Sequence, residues 1–310
     1  MSLSRVALLS SVFVVSLAVF PGCKKDETSS GETFGTSEDL LVSDAEADDE
    51  DEQSDEAADD ALSGTATEAE ADQGPEPSEA SGNLEAHLTK VRENPGKYFT
   101  PAGCITTTIE LGGGARVATH VFNGCTGPGG KNKFTGTIKA TWTAPGAGKL
   151  QVVREANGFK IERIDDGVVR TVNRTVTVEF EKNGNVFTKK RKVQMSGTSS
   201  TGKSVSRTAN WTVAYDAAAK CVTRDGSSVV THEGRELTRT VSGYKRCGIG
   251  ALGCPQSGTL TITRTKGQGD AERDITLTVE FTGGRGYTVT RPNGVKKNRQ
   301  MLWCRAVGDK

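Results

Sequence analysis

Few residues in this chain have the types and spacing that chemistry needs. Gly197–Ser204 fits G-x-x-x-x-G-K-[ST], the pattern in which a loop's backbone amides and a lysine hold nucleotide phosphates. Carboxylate pairs of the kind that drive glycoside hydrolysis stand at Glu179 and Glu181, at Asp274 and Glu280, and at Asp165 and Asp166. The cysteines are Cys23, Cys104, Cys125, Cys221, Cys247, Cys254 and Cys304. They form no C-x-x-C pair, and His87, His120 and His232 lie far apart, so no metal-ligand spacing is found. Neither a G-x-S-x-G elbow nor an H-E-x-x-H motif occurs. Basic side chains cluster at Lys189, Lys190, Arg191 and Lys192, and again at Lys296, Lys297 and Arg299.

What these residues can do depends on the elements that carry them. A phosphate loop works where its amides converge at the start of a helix. After Ser204 the chain instead alternates, with Val205, Arg207, Ala209, Trp211, Val213 and Tyr215 on one face and Ser206, Thr208, Asn210 and Thr212 on the other. A strand therefore follows, Gly197–Ser204 reads as a hairpin turn, and no nucleotide is expected. Similar alternation runs through Ile138–Trp142, Val176–Phe180 and Ile275–Phe281, the mark of strands with one buried and one wet face. Glu179, Glu181, Asp274 and Glu280 fall on wet faces, and Asp165-Asp166 sits beside Gly167 as a turn.

Turn signals at Asn157-Gly158, Asp166-Gly167, Asn183-Gly184, Asp225-Gly226, Glu233-Gly234 and Asn293-Gly294 separate about thirteen to fifteen strands. No crossover helix stands among them, so the spacing predicts an all-β domain over 97–310. Its sheet should be a large antiparallel meander, strongly curved or barrel-like, with a two-layer β-sandwich as the alternative. Outward Thr and Lys argue against a membrane-embedded barrel. Before it, Leu84, His87, Leu88 and Val91 behind the N-cap Asn83 predict a short helix over 83–96, stopped at Asn94-Pro95-Gly96.

The start of the chain has the layout of a signal peptide over 1–22: one positive charge in Met1–Arg5, then the apolar run Val6–Phe20. Phe20-Pro21-Gly22-Cys23 resembles a bacterial lipobox, with Phe20 where leucine is usual. The resemblance implies that Cys23 is lipidated with diacylglycerol and palmitate and becomes the mature N-terminus. Lys24 looks like the sorting residue of outer-membrane lipoproteins, and Lys25-Asp26-Glu27 like a Bacteroidetes surface-export signal. "FNGCTGPGGKNKFTGTI" (Phe122–Ile138) and "SGYKRCGIGALGCPQSGTLTITRT" (Ser242–Thr265) are similar to segments of uncharacterised exported bacterial β-rich lipoproteins. Together these resemblances imply an outer-membrane lipoprotein of the cell envelope, facing the periplasm or the cell surface, and carry no assigned activity.

Setting Cys23 aside leaves six cysteines, an even set that reads as disulfides in an exported chain. Folding Val222–Thr231 onto Glu236–Arg246 brings Cys221 nearly opposite Cys247. Cys104 and Cys125 flank a hairpin turning at Gly112-Gly113-Gly114, with their register several residues off. Cys254 with Cys304 follows by elimination, and Cys247 with Cys254 competes because the loop between them is short.

The formal net charge is zero, but the charges are segregated along the chain. Lys24–Glu85 contains 22 acidic residues and two lysines, whereas Ala86–Lys310 contains 36 basic and 17 acidic residues. The acidic stretch has too few apolar residues to fold alone, so 23–82 is expected to be a disordered tether. It would hold the body on the order of 50–100 Å from the membrane. The alternative is that it folds back on the basic body and competes with an anionic ligand. The expectation is a non-catalytic envelope lipoprotein with no cofactor and no nucleic-acid partner. Its basic residues Lys189–Lys192, Lys296, Lys297 and Arg299 would meet anionic glycans or lipopolysaccharide. The rival is a glycan-processing enzyme, marked by two carboxylates facing each other across a cleft.

Overall fold

The computed structural model describes residues 91, 96–112, 115–127, 130–232, 235–247, 254–265 and 274–300. The expected signal peptide, Cys23, the acidic tether and most of the 83–96 helix lie outside them. Within that helix Val91 is helical, and residues 96–98 are helical too, so extended pairing begins at the Thr100–Thr126 bridge.

Thirteen strands follow. They are β1 (Ile105–Gly112), β2 (Ala115–Thr126), β3 (Asn132–Gly146), β4 (Lys149–Arg163), β5 (Val169–Asn183), β6 (Val186–Ser199) and β7 (Ser204–Asp216). Then come β8 (Cys221–His232), β9 (Arg235–Cys247), β10 (Pro255–Thr265), β11 (Ile275–Phe281), β12 (Gly286–Thr290) and β13 (Lys296–Gln300). Each pairs antiparallel with the next, in the order β1 to β13. The meander is therefore as expected. It differs from the two finer expectations: it is one sheet rather than the two of a sandwich, and β1 does not pair with β13 to close a barrel.

Register places one face of this sheet in the core. Ala118, Ala140, Arg154, Val176, Val193, Ala209, Ser228, Arg239, Ile262 and Leu277 stand opposite one another in turn across β2 to β11. All ten are buried. A neighbouring row runs from Trp142 through Val152, Val178, Arg191, Trp211, Gly226, Val241, Leu260 and Val279 to Val289. Small residues stand beside large ones in these rows, Ala140 by Arg154 and Gly226 by Trp211, as close packing requires. We call this the buried face and the other the open face. A second cluster, where Phe99, Phe122, Phe134 and Phe159 meet mostly edge-on with ring centroids 5.4–6.2 Å apart, fills the end of the sheet by the Cys104–Cys125 disulfide.

Two Gly signals read as turns are β-bulges instead. Asn157-Gly158 lies inside β4 at the register shift between Ala156 and Phe159, and Asp225-Gly226 inside β8 between Arg224 and Gly226. An extra residue with positive φ is absorbed there, and alternation resumes in the opposite phase. Side chains pin both: Asn173 Oδ1 accepts from Gly158 N at 2.8 Å and Asp225 Oδ1 from Gly243 N at 2.6 Å. Gly226 has a second constraint, because a Cβ there would collide with the Asn210 carbonyl oxygen.

Cys221 faces Cys247 directly and the two are bonded, with Cα atoms 4.0 Å apart. That removes Cys247 as a partner for Cys254. The Cys104–Cys125 bond forms because a bulge between Asn123 and Cys125 carries Cys125 back toward Cys104. Cys254 is also disulfide-bonded; its expected partner, Cys304, lies outside the described residues.

Candidate anion-binding cavity

Successive connections of an antiparallel meander alternate between the two ends of the sheet. The β4–β5, β6–β7 and β8–β9 connections therefore share one end, together with the last residues of β10. Each brings basic residues: Arg163 and Arg170 from the first, Lys203 and Arg207 from the second, Arg235 from the third and Arg264 from β10. They line a cavity of about 430 Å³, whose only carboxylate among the described residues is Glu236. His232 completes the polar wall, and Met195, Val205, Val230 and Leu237 supply apolar surface. Arg207 and Arg264 reach it from the buried face, since one row of the ladder runs Met195, Arg207, Val230, Leu237, Arg264.

The turn with the phosphate-loop pattern forms part of this rim. Gly197 is a residue of β6, where a Cβ would strike the Thr171 carbonyl oxygen of β5; Gly202 takes φ +77° in the turn. Close strand approach and turn geometry thus account for both glycines, and β7 rather than a helix follows. The turn is fastened to its neighbour: Ser200 N donates to Val169 O at 2.6 Å, and Ser199 Oγ accepts from Lys203 N at 3.2 Å. These bonds fix the point from which Lys203 projects. On the adjacent turn Arg163 binds Asp166, whose carboxyl is held down to about 2 by that hydrogen bond and by the Val168 amide. Arg163 thus has a local counter-charge.

The residues singled out in the sequence are distributed differently from their linear clusters. Period two splits the Lys189–Lys192 run: Lys190 and Lys192 are exposed on the open face, while Lys189 and Arg191 lie on the buried face, Arg191 only 3% exposed. Lys296, Lys297 and Arg299 lie on β13, at the edge of the sheet among the described residues, again on both faces. Of the expected carboxylate pairs, Glu181 bridges Lys149 at 3.2 Å and Glu179 accepts from Gln151 at 3.2 Å on the open face. Asp165 pairs with Lys131 and Asp166 with Arg163. None of these carboxylates lines the cavity. A shallower cleft of about 670 Å³ on the open face is lined by Lys139, Glu155, Asn157, Asn173, Gln194 and Thr208, a neutral polar set.

Linear clustering missed the cavity because its cations come from seven strands. One signal was available: Arg207 occupies an apolar position in the alternation Val205, Arg207, Ala209, Trp211. Arg154 does the same in Leu150, Val152, Arg154, Ala156. Comparison with protein-family models, curated proteins and solved structures finds no match to this chain.

Proposed function

We propose that this is a non-catalytic, exported lipoprotein of the bacterial cell envelope, anchored in the outer membrane through Cys23. Its β domain, facing the periplasm or the cell surface, binds anionic glycans or lipopolysaccharide phosphates. The observation that carries this reading is the cavity, where five arginines and a lysine converge around one carboxylate. Guanidinium groups suit sulfate, phosphate and uronate oxygens through forked hydrogen bonds. Two disulfides between described residues favour an oxidising compartment, where such glycans are encountered and nucleic acid is not. A glycan-cleaving reading needs two facing carboxylates, and Glu236 gives the cavity one.

The curled form expected of the sheet belongs to the same proposal. A flat sheet of thirteen strands would be about 60 Å wide at ~4.8 Å per strand, with one whole face to cover. Curling lets that face cover itself and draws the strand ends toward the cavity. The test is titration of the full mature chain with heparin as a sulfated probe at about 0.15 M salt. Lys203 and Arg235 are exposed, so Lys203→Gln with Arg235→Gln leaves the fold intact, and about tenfold weaker binding is expected. An unchanged affinity would remove the cavity from the proposal.

A further inference from the structure

Eight arginines are buried in the described structure, and no aspartate or glutamate is. Arg154, Arg174, Arg191, Arg207, Arg224 and Arg239 all lie on the buried face, four of them in the rows or on the cavity wall described above. Every carboxylate within the thirteen strands lies on the open face by register, as with Glu155 beside Arg154 and Glu179 beside Val178. The four ion pairs formed by Lys131, Lys133, Lys149 and Arg163 likewise use carboxylates away from that face. Stacking supplies part of the stabilisation: Trp211 has Arg224 at 4.5 Å and Arg239 at 5.8 Å from its ring centroid. It supplies no negative charge. A guanidinium stays protonated at any physiological pH, and burying several on one face without carboxylates costs several kcal/mol each. The balancing carboxylates must come from outside the strands.

The same chain contains one concentrated source. Within Lys24–Glu85, the stretch Asp44–Asp60 holds eleven acidic residues in seventeen. The acidic segment ends at Glu85, six residues before Val91. Val91 is 0% exposed and belongs to the same core cluster as Ala118, Ala140 and Val176 of the buried face. The chain therefore passes from its acidic segment straight into that face. Reach is not limiting: seventeen extended residues span about 56 Å, while β4 to β9 cover about 24 Å.

We infer that Asp44–Asp60 docks on the arginines of the buried face and on the cavity continuous with them, as an intramolecular polyanionic ligand. The segment then neutralises the arginines that the strands bury, and an external glycan must displace it to enter the cavity. The competitive part of this inference rests on the cavity binding anionic glycans; the docking part does not.

Zero-length carbodiimide coupling of the full mature chain, mapped by mass spectrometry, tests the docking. At low salt, carboxylates of residues 44–60 should couple to Lys189 on the buried face and Lys203 at the cavity. The exposed Lys190 and Lys192, adjacent in sequence but on the open face, should couple little, and 1 M salt should abolish the preference. Coupling spread equally over both faces, or none to Lys189 and Lys203, would overturn the inference. In a second arm, the eleven carboxylates are changed to Asn and Gln and heparin binding is measured. A rise in affinity of about tenfold or more is expected once the tethered competitor is gone. If the selective coupling forms but heparin binds neither protein, docking holds and the glycan reading fails. If heparin binds both equally, the segment does not occupy the cavity and the competitive part is lost.

Discussion

Individual side chains in this sheet act through neighbours that the linear sequence keeps apart. His120 is 0% exposed on β2, with Nδ1 2.9 Å from Thr107 Oγ1 of β1. Burial, and then the positive charge of Arg154, lower its pKa from 6.5 to about 4. The imidazole is therefore neutral in the folded protein at pH values where the unfolded chain already binds a proton. Above about pH 6.5 neither state is protonated and stability is unaffected. As pH falls from about 6.5 toward 4 the unfolded state alone gains the proton, and stability drops by an amount on the order of 2–3 kcal/mol. Urea unfolding of the wild type and His120→Gln at pH 7 and pH 4.5 should show this as a difference between the two, with the variant losing less stability on acidification. In the sequence His120 was legible only as a lone histidine. Its charge partner is three dozen positions away and becomes a neighbour only through the β2, β3, β4 register.

Among the elements, turn chemistry was the most readable feature and also the source of the error over bulges. Asn183-Gly184 and Asn293-Gly294 do form turns, while Asn157-Gly158 and Asp225-Gly226 lie within strands. Both outcomes place Gly at positive φ, so composition alone does not separate them. The distinguishing mark is that alternation continues past a bulge along the same strand with its phase reversed, from Ala156 to Phe159 and Ile161. β13 has a different kind of legibility. Its sequence KKNRQ has no apolar residue, and a charged edge discourages pairing with another copy. Replacing Lys296, Lys297 and Arg299 together by Thr should leave the fold in place and produce concentration-dependent association. Sedimentation velocity at tens of micromolar would check it, and a monomeric variant would deny β13 that role.

At the scale of the whole molecule, each strand pairs only with its sequence neighbours. Stability in such an arrangement resembles a chain of nearest-neighbour interfaces, so the ends should open before the middle. β4 to β6 have 14–15 residues each, against five each for β12 and β13. Native-state hydrogen exchange should therefore show β12 and β13 opening at lower free energy than β4 to β6, with the β8–β9 pair held up by Cys221–Cys247. Uniform protection across all thirteen strands would mean that the sheet opens only as a unit. The charge segregation belongs to this scale too. An acidic leader region and a basic body were visible in the composition, but the composition did not say which basic residues are buried.

The sequence by itself determined the strands, their antiparallel order and the Cys221–Cys247 bond. Alternation, turn residues and short connections act within one hairpin, and a hairpin's register follows from its turn. Only the tertiary structure decided which ends of the strands gather into a cavity and which cations share a face. That outcome depends on a register carried across six or more strands. Each bulge reverses the phase on the way, so it is a property of the assembled sheet and not of any single segment.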